Sequence, residues 1–306
     1  MKHLSLRKAF QMFVLDKQVA GLADKTLESY IYHYNTIVKH IPEDTPLAAI
    51  TGASIKKVVS ELVATGISKN SVRSYTATLQ SFFSWCRQNG LSDVVVSLYK
   101  GEETVKEIYT REELERLLKR PNLRRCQFPE YRTWVIINLL VNNGLRAATI
   151  RSIQIRDVIL ESSMIMLRHT KNRKAQIIPL SPELRQILAQ YMTVRAGSGT
   201  DYLFPDAVGN QMSENCLRMA IRNYNRSRGV EKTGIHMFRH TFARMYLVDC
   251  GGDALKLQKL LGHSTLKMTQ HYVQLYNTDL VKDYETMSPL ATFKKLSRIQ
   301  MPWQKK

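Results

Sequence analysis

Five side chains between residues 234 and 272 set the chemistry this sequence can offer. The stretch GIHMFRHTFARMYLVDCGGDALKLQKLLGHSTLKMTQHY carries His236, Arg239, His240, His263 and Tyr272 among helix-forming runs. His236 and Arg239 are three residues apart, so at the start of a helix they share one face. Gly262 reads as a helix C-terminal cap and Ser264 as the N-cap of a further helix, with Tyr272 about two turns into it. A phenol, with a pKa of about 10, is a poor nucleophile at neutral pH. It needs a base beside it and an electrophile whose developing charge is strongly stabilised. Guanidinium binds two non-bridging phosphate oxygens and stays charged, and imidazole donates a hydrogen bond or moves a proton, so the set suits a phosphodiester. Taken singly, each His also reads as an ordinary polar residue at a helix end.

The pattern His236-x-x-Arg239-His240, then Leu261-Gly262-His263-Ser264, then Tyr272 nine residues after His263 resembles the C-terminal signature of the tyrosine recombinases, the phage integrase family. That resemblance asks for an earlier Arg after a Gly-Leu turn and for a Lys in a β-hairpin. Arg146, in Asn142-Asn143-Gly144-Leu145-Arg146, matches the first. On its residues alone, an Arg just past an apolar helix is either held rigidly toward a cleft or lies on the surface. Lys171 matches the hairpin position best, with Lys174 as the alternative and a plain charged turn as the third reading.

The resemblance implies transesterification that uses no metal, cofactor or ATP. Arg146, Arg239 and His263 would stabilise the phosphorane, His236 would support proton transfer from Tyr272, and Lys171 would protonate the leaving 5′ oxygen, giving a 3′-phosphotyrosyl link. The chain departs from the family at Thr149, where an acid usually follows the first Arg by three residues. Carboxylate support for the basic cluster must come from elsewhere or be absent.

The elements that must position these residues are bounded by length and charge. At 306 residues two domains are favoured over one core. Lys and Arg outnumber Asp and Glu 45 to 26, a net charge of +19, with a pI near 9.8, which points to a polyanionic partner or to a merely soluble basic protein. Cys86, Cys126, Cys216 and Cys250 are scattered without a C-x-x-C pair, against a zinc cluster or disulfide scaffold and in keeping with a reducing cytoplasm. The N-terminus lacks the apolar core of a signal peptide, and the most apolar run, residues 134–141, is too short to span a bilayer. A bacterial cytoplasmic or nucleoid location is expected.

Residues 1–90 read as a helical DNA-binding domain. Leu27, Tyr30, Ile31, Tyr34, Ile37 and Val38 repeat at helical spacing, as do Val72, Tyr75, Leu79, Phe82, Phe83 and Cys86. The second helix's opposite face carries Arg73, Gln80, Ser84 and Arg87, with Lys69 and Asn70 at its start, suited to a major groove or to solvent. Residues 91–109 read as a linker. Residues 110–287 form the catalytic domain, opened by the N-cap Thr110 ahead of Glu112 and Glu113. Residues 131–141 are an apolar helix. The period then changes from helix to strand in three short runs, at 157–160, 164–167 and 176–180, separated by Glu-Ser-Ser and by a basic turn that could enter a minor groove. Ser181-Pro182 opens another helix. Within 213–227, Arg218, Arg222 and Arg226 recur at i, i+4 and i+8, a repulsion that phosphates would relieve.

Pro289 breaks the preceding helix, leaving 288–306 as a terminal segment. The resemblance implies its exchange between protomers of a homo-tetramer on double-stranded DNA. The expected fold is mostly α with a small antiparallel sheet in the C-terminal domain, a two-domain DNA clamp of core-binding and integrase-type catalytic parts. The expected function is site-specific recombination; alternatives are a type IB topoisomerase, a telomere resolvase or a catalytically silent DNA-binding regulator. The sequence does not name the target site, the preferred direction or any accessory protein.

Overall fold

Side-chain caps fix most helix starts. In the computed structural model, Ser5, Thr51 and Ser68 cap α1 (Leu6–Val19), α3 (Gly52–Ala64) and α4 (Lys69–Gln88), with α2 (Asp24–Ile37) between the first two. The structure describes residues 4–102, 107–168, 175–263, 265, 266 and 269. Lys171, Arg173, Lys174, Ser264, Tyr272 and the terminal segment 288–306 lie outside the described residues.

The chain divides into two compact units, Met1–Thr104 and Val105–Lys306. In the first, α1 to α4 enclose an aromatic core. Phe13 meets Phe82 edge-on at 5.6 Å between ring centres, and the Trp85 indole N–H donates to Asp16 at 3.1 Å. Val72, Tyr75, Leu79, Phe82, Phe83 and Cys86 are all buried on α4, as their period predicts. The stripe on α2 is narrower than predicted: Leu27 and Ile37 are buried, whereas Ile31 is 44% exposed. After Gly90, residues 91–102 stay with this unit. Val96 is buried, Gln80 donates to the Val96 carbonyl at 3.2 Å, and the Tyr99 amide donates to the Thr76 hydroxyl at 3.1 Å.

The second unit opens with α5 (Arg111–Leu118), capped by reciprocal bonds between Thr110 and Glu113. It is built around α6 (Phe128–Asn143), which buries residues on every side and so behaves as a core helix. Packed against α6 are α8 (Pro182–Arg195), α9 (Glu214–Ser227) and α10 (Ile235–Arg244). The short α7 (Ala147–Ser152) precedes the strands. These are β1 (Val158–Ile159), β2 (Met164–Leu167) and β3 (Gln176–Pro179), an antiparallel sheet in the order β1-β2-β3 with Leu167 opposite Gln176. The switch of period therefore marks a real sheet, and the fold is mostly helical as expected. A π-helical turn, Met245–Asp249, continues α10 and leads to α11 (Ala254–Leu261). Phe242, Ala243, Leu257 and Leu261 form a small core between α10 and α11. Among the described residues no helix is long and apolar enough to cross a membrane.

Gly144 closes α6 in the left-handed conformation at φ +59°, and a Cβ there would lie 2.5 Å from Phe242 Cδ1 and 3.2 Å from Leu261 Cδ2. The turn therefore needs glycine both for its backbone and to let α10 and α11 approach. Gly144→Ala is expected to destabilise the second unit by about 2 kcal/mol or more, from strain and overpacking together. Denaturant unfolding followed by intrinsic fluorescence measures it; an unchanged midpoint would show that the turn relaxes freely.

Candidate active site

The last turn of an α-helix leaves its carbonyls without intrahelical donors and carries the negative end of the helix dipole. In this protein two arginines take up such carbonyls. Arg239, on α10 and 6% exposed, donates from Nη1 to the Gly144 carbonyl at 2.9 Å and from Nη2 to the Leu261 carbonyl at 2.8 Å. Arg146, half-buried just past the Gly144 turn, donates from Nη1 to the same Leu261 carbonyl at 3.3 Å and from Nη2 to that of Gly262 at 3.4 Å. Two guanidinium groups thus converge on one oxygen at the end of α11. A buried cation is costly without hydrogen bonds, and these carbonyls supply part of the support that Thr149 cannot give. Thr149 itself is buried in α7.

Gly262 ends α11 in the left-handed conformation at φ +60° and turns the chain so that His263 follows directly beside the pair. His263 Nδ1 lies 2.9 Å from the Thr269 hydroxyl, and its amide bonds the Gln258 carbonyl at 3.0 Å. Burial first, then Arg239 and Arg146, lowers its pKa to about 4, so it is neutral at physiological pH. His236, in the first turn of α10, is pushed down by packed surroundings and by Arg239 and Arg146, with Glu214 pulling the other way. Its side chain is open to solvent, which tempers all these effects.

His236 also lines a cleft of about 450 Å³ with Glu214, Arg218, Arg222 and Arg226. The other face of α9, Leu217, Ile221 and Tyr224, is buried, so the three arginines form one edge of that cleft. Their contacts are light: Arg218 donates to Asn215 at 2.7 Å, and Arg226 is 3.9 Å from Glu231.

The structure therefore brings Arg146, Arg239 and His263 together, sets His236 near them, and joins His236 to the α9 arginines. Lys171, its alternative Lys174, and Tyr272 fall outside the described residues. On α4 of the first unit, Arg73 is exposed, Arg87 donates to the Val94 carbonyl at 3.0 Å, Gln80 bonds Val96 as above, and Lys69 pairs with Glu102. The sequence did not single out Gln176, Thr269 or Glu214. Gln176 donates to the carbonyls of Lys259 and Leu260 at 2.6 and 3.0 Å, a link across 83 and 84 residues that no local pattern announces.

A helical unit followed by a helical domain with a small three-stranded antiparallel sheet is a fold shared with solved integrases. The solved structure of a lambda integrase fragment, a dimer bound to a COC′ core site, shares this fold with a TM-score of 0.70 at 18% identity, covering 87% of this chain and 97% of that one. The Tn1549 transposon integrase in complex with transposon right end DNA does so at 0.72 and 17%, covering 88% and 94%. Residues 107–278, more than half of the chain, match the phage integrase family, and residues 4–90 match the phage integrase N-terminal SAM-like domain; the chain belongs to the phage integrase family. It is 28% identical over 287 residues to tyrosine recombinase XerC of Thermodesulfovibrio yellowstonii, covering 89% of this chain and 92% of that protein. To tyrosine recombinase XerD of Staphylococcus haemolyticus it is 26% identical over 289 residues, covering 89% and 95%.

The state of His263 makes a pH prediction. Its folded pKa of about 4 lies below the ordinary 6.5, so between those values the unfolded chain binds the extra proton. This contribution to stability is present above pH about 6.5 and is lost as pH falls toward about 4. His263→Gln is expected to narrow the fall in thermal midpoint between pH 7 and pH 5. An equal fall in both proteins would mean that His263 is not held neutral.

Proposed function

We propose that this protein is a site-specific DNA recombinase that cleaves and rejoins strands through a 3′-phosphotyrosyl intermediate, with Tyr272 as nucleophile. The observation that carries the reading is the convergence of Arg146 and Arg239 on the Leu261 carbonyl beside a neutral His263. Each guanidinium has five N–H donors in a planar fork that matches the two non-bridging oxygens of a scissile phosphate. Both groups serve best where charge is greatest, on the pentavalent phosphorane. In the tautomer in which Nδ1 accepts from the Thr269 hydroxyl, the His263 proton sits on Nε2 and the ring supplies a neutral N–H to the same group.

The Tyr272 oxygen attacks phosphorus as its proton passes toward His236, whose lowered pKa keeps a lone pair available near neutral pH. The bond from phosphorus to the 5′ oxygen breaks, and Lys171 delivers a proton to that oxygen. A Lys crowded by other cations loses its proton more readily, which suits a general acid. One phosphoester replaces another, so the bond energy is retained and no ATP enters. The reverse steps with a different 5′ hydroxyl complete the exchange.

Residues 110–287 form the catalytic part in this reading and 1–90 hold the core site, with 91–109 joining them. The α9 arginines track phosphates at the edge of the His236 cleft. Arg73, with Lys69, Gln80 and Arg87, faces DNA from α4; contact there requires Gln80, Arg87 and Lys69 to exchange their bonds to residues 94–102 for DNA. A lambda integrase with this fold is a tetramer on a Holliday junction, which supports a homo-tetramer here, with exchange of the 288–306 segment between protomers.

Tyr272→Phe removes one hydroxyl, so it should abolish covalent capture on a nicked suicide substrate while DNA affinity changes by less than about twofold. Capture that survives in the Phe variant rejects Tyr272, and Tyr276 becomes the next candidate. Arg218→Ala, by contrast, should weaken cognate and scrambled DNA alike and reduce the salt slope of binding by about one. A loss confined to the cognate site, in salt-titrated binding, would instead make Arg218 a base-reading residue.

A further inference from the structure

Four consecutive carbonyls at the end of α11 accept from three side chains that come from three different elements. Gln176 Nε2, rooted in β3, donates to Lys259 O at 2.6 Å and Leu260 O at 3.0 Å. Arg239 from α10 takes Leu261 O, and Arg146 from the turn after α6 takes Leu261 O and Gly262 O. Glycine suits position 262 by its left-handed backbone, and a Cβ there would come within 2.7 Å of Gln176 Oε1, so the Gln176 amide would have to shift.

We infer that Gln176 is a positioning residue for the arginine pair, acting by clamping the last turn of α11 whose carbonyls hold both guanidinium groups. This rests on the recombinase reading of Arg146 and Arg239. The helix has only eight residues, and short helices fray at their ends. From its own sequence, Gln258 Nε2 donates past the end of the helix to the His263 carbonyl at 3.3 Å, and the carbonyls of residues 259–262 take their side-chain donors from other elements. Gln176 is by contrast held in a sheet, opposite Leu167 of β2, so its amide ties the end of α11 to β3. A movement of that last turn would carry one of the two acceptors of Arg239, the Leu261 carbonyl, and both acceptors of Arg146 with it. Catalytic groups need support of this kind to stay within fractions of an ångström of their working geometry. The substitution effect therefore belongs to the phosphorane and not to DNA binding.

The test compares the full chain with Gln176→Leu and Gln176→Met, both of which remove the donors while keeping comparable bulk. Single-turnover covalent capture is measured at saturating DNA on two nicked substrates. One carries the ordinary scissile phosphodiester and the other a methylphosphonate there, whose missing negative charge lowers the demand on guanidinium. Relative to the parent on the same substrate, both variants should be roughly tenfold slower on the phosphodiester, the effect of one to two neutral hydrogen bonds. On the methylphosphonate they should be slower by less than about twofold, because a defect acting through the arginines fades with the charge they neutralise. DNA affinity should match the parent, and the thermal midpoint should fall by no more than the loss of two neutral hydrogen bonds accounts for. Equal slowing on both substrates, no slowing, or a loss that follows a loss of folding in both variants overturns the inference. Arg239→Ala is run in parallel. If it does not itself lose more on the phosphodiester than on the methylphosphonate, the reading of the arginine pair fails, whatever Gln176 does. If Arg239→Ala shows that preference and the Gln176 variants do not, the inference alone falls.

Discussion

The Leu261 carbonyl receives both guanidinium groups, and the second unit is arranged so that this contact can form. Gly144 lets α10 and α11 settle on the end of α6. Phe242, Ala243, Leu257 and Leu261 press α10 and α11 together, and Tyr109 holds the entry to α10, its hydroxyl donating to the Lys232 carbonyl while its ring stacks on Phe238 at 4.2 Å. The two cations are brought within one oxygen's span against their own repulsion. Dipolar carbonyls at a helix C-terminus offset that repulsion without removing the positive field a phosphate would meet.

Much of this was legible in the sequence because the signals were local. Thr110 and Glu113, Ser181-Pro182, Ser213, and the glycines at 144 and 262 act within one turn of themselves, and each marks the helix end that its residue type predicts. The switch from a period near 3.6 to strand alternation located the sheet. The narrower stripe on α2 went the other way: helical spacing names a face, but burial depends on what lies opposite it, and Ile31 meets solvent. The placement of His263 beside two arginines was legible only through the family resemblance, since Arg146 reaches the end of α11 across 115 residues of chain. Gln176 carried no signal at all. A glutamine at the start of a strand is common, and its importance here comes from which carbonyls lie across from it.

Two departures qualify the sequence reading in physical terms. With Thr149 in place of an acid, the arginine pair draws on backbone acceptors, which are partial charges fixed in direction and cannot be titrated; that part of the support does not weaken in mild acid as a carboxylate's would. On α4, the polar face that suited a groove is partly engaged by residues 94–102, through Val94, Val96 and Glu102. Amphipathic spacing identified that face correctly as outward, but it could not reveal that the following segment returns along it.

Because the shared acceptor is a main-chain oxygen, no substitution at position 261 can delete it. Any residue there other than one that breaks the helix offers the same carbonyl, and Leu261 is constrained by what it packs against. The site's exposure to mutation is thereby moved away from the atom that matters and onto the two left-handed turns that aim it. Variation in this region should accordingly be read as backbone geometry: a change at Gly144 or Gly262 would redirect the anchoring of Arg146 and Arg239 without altering either side chain.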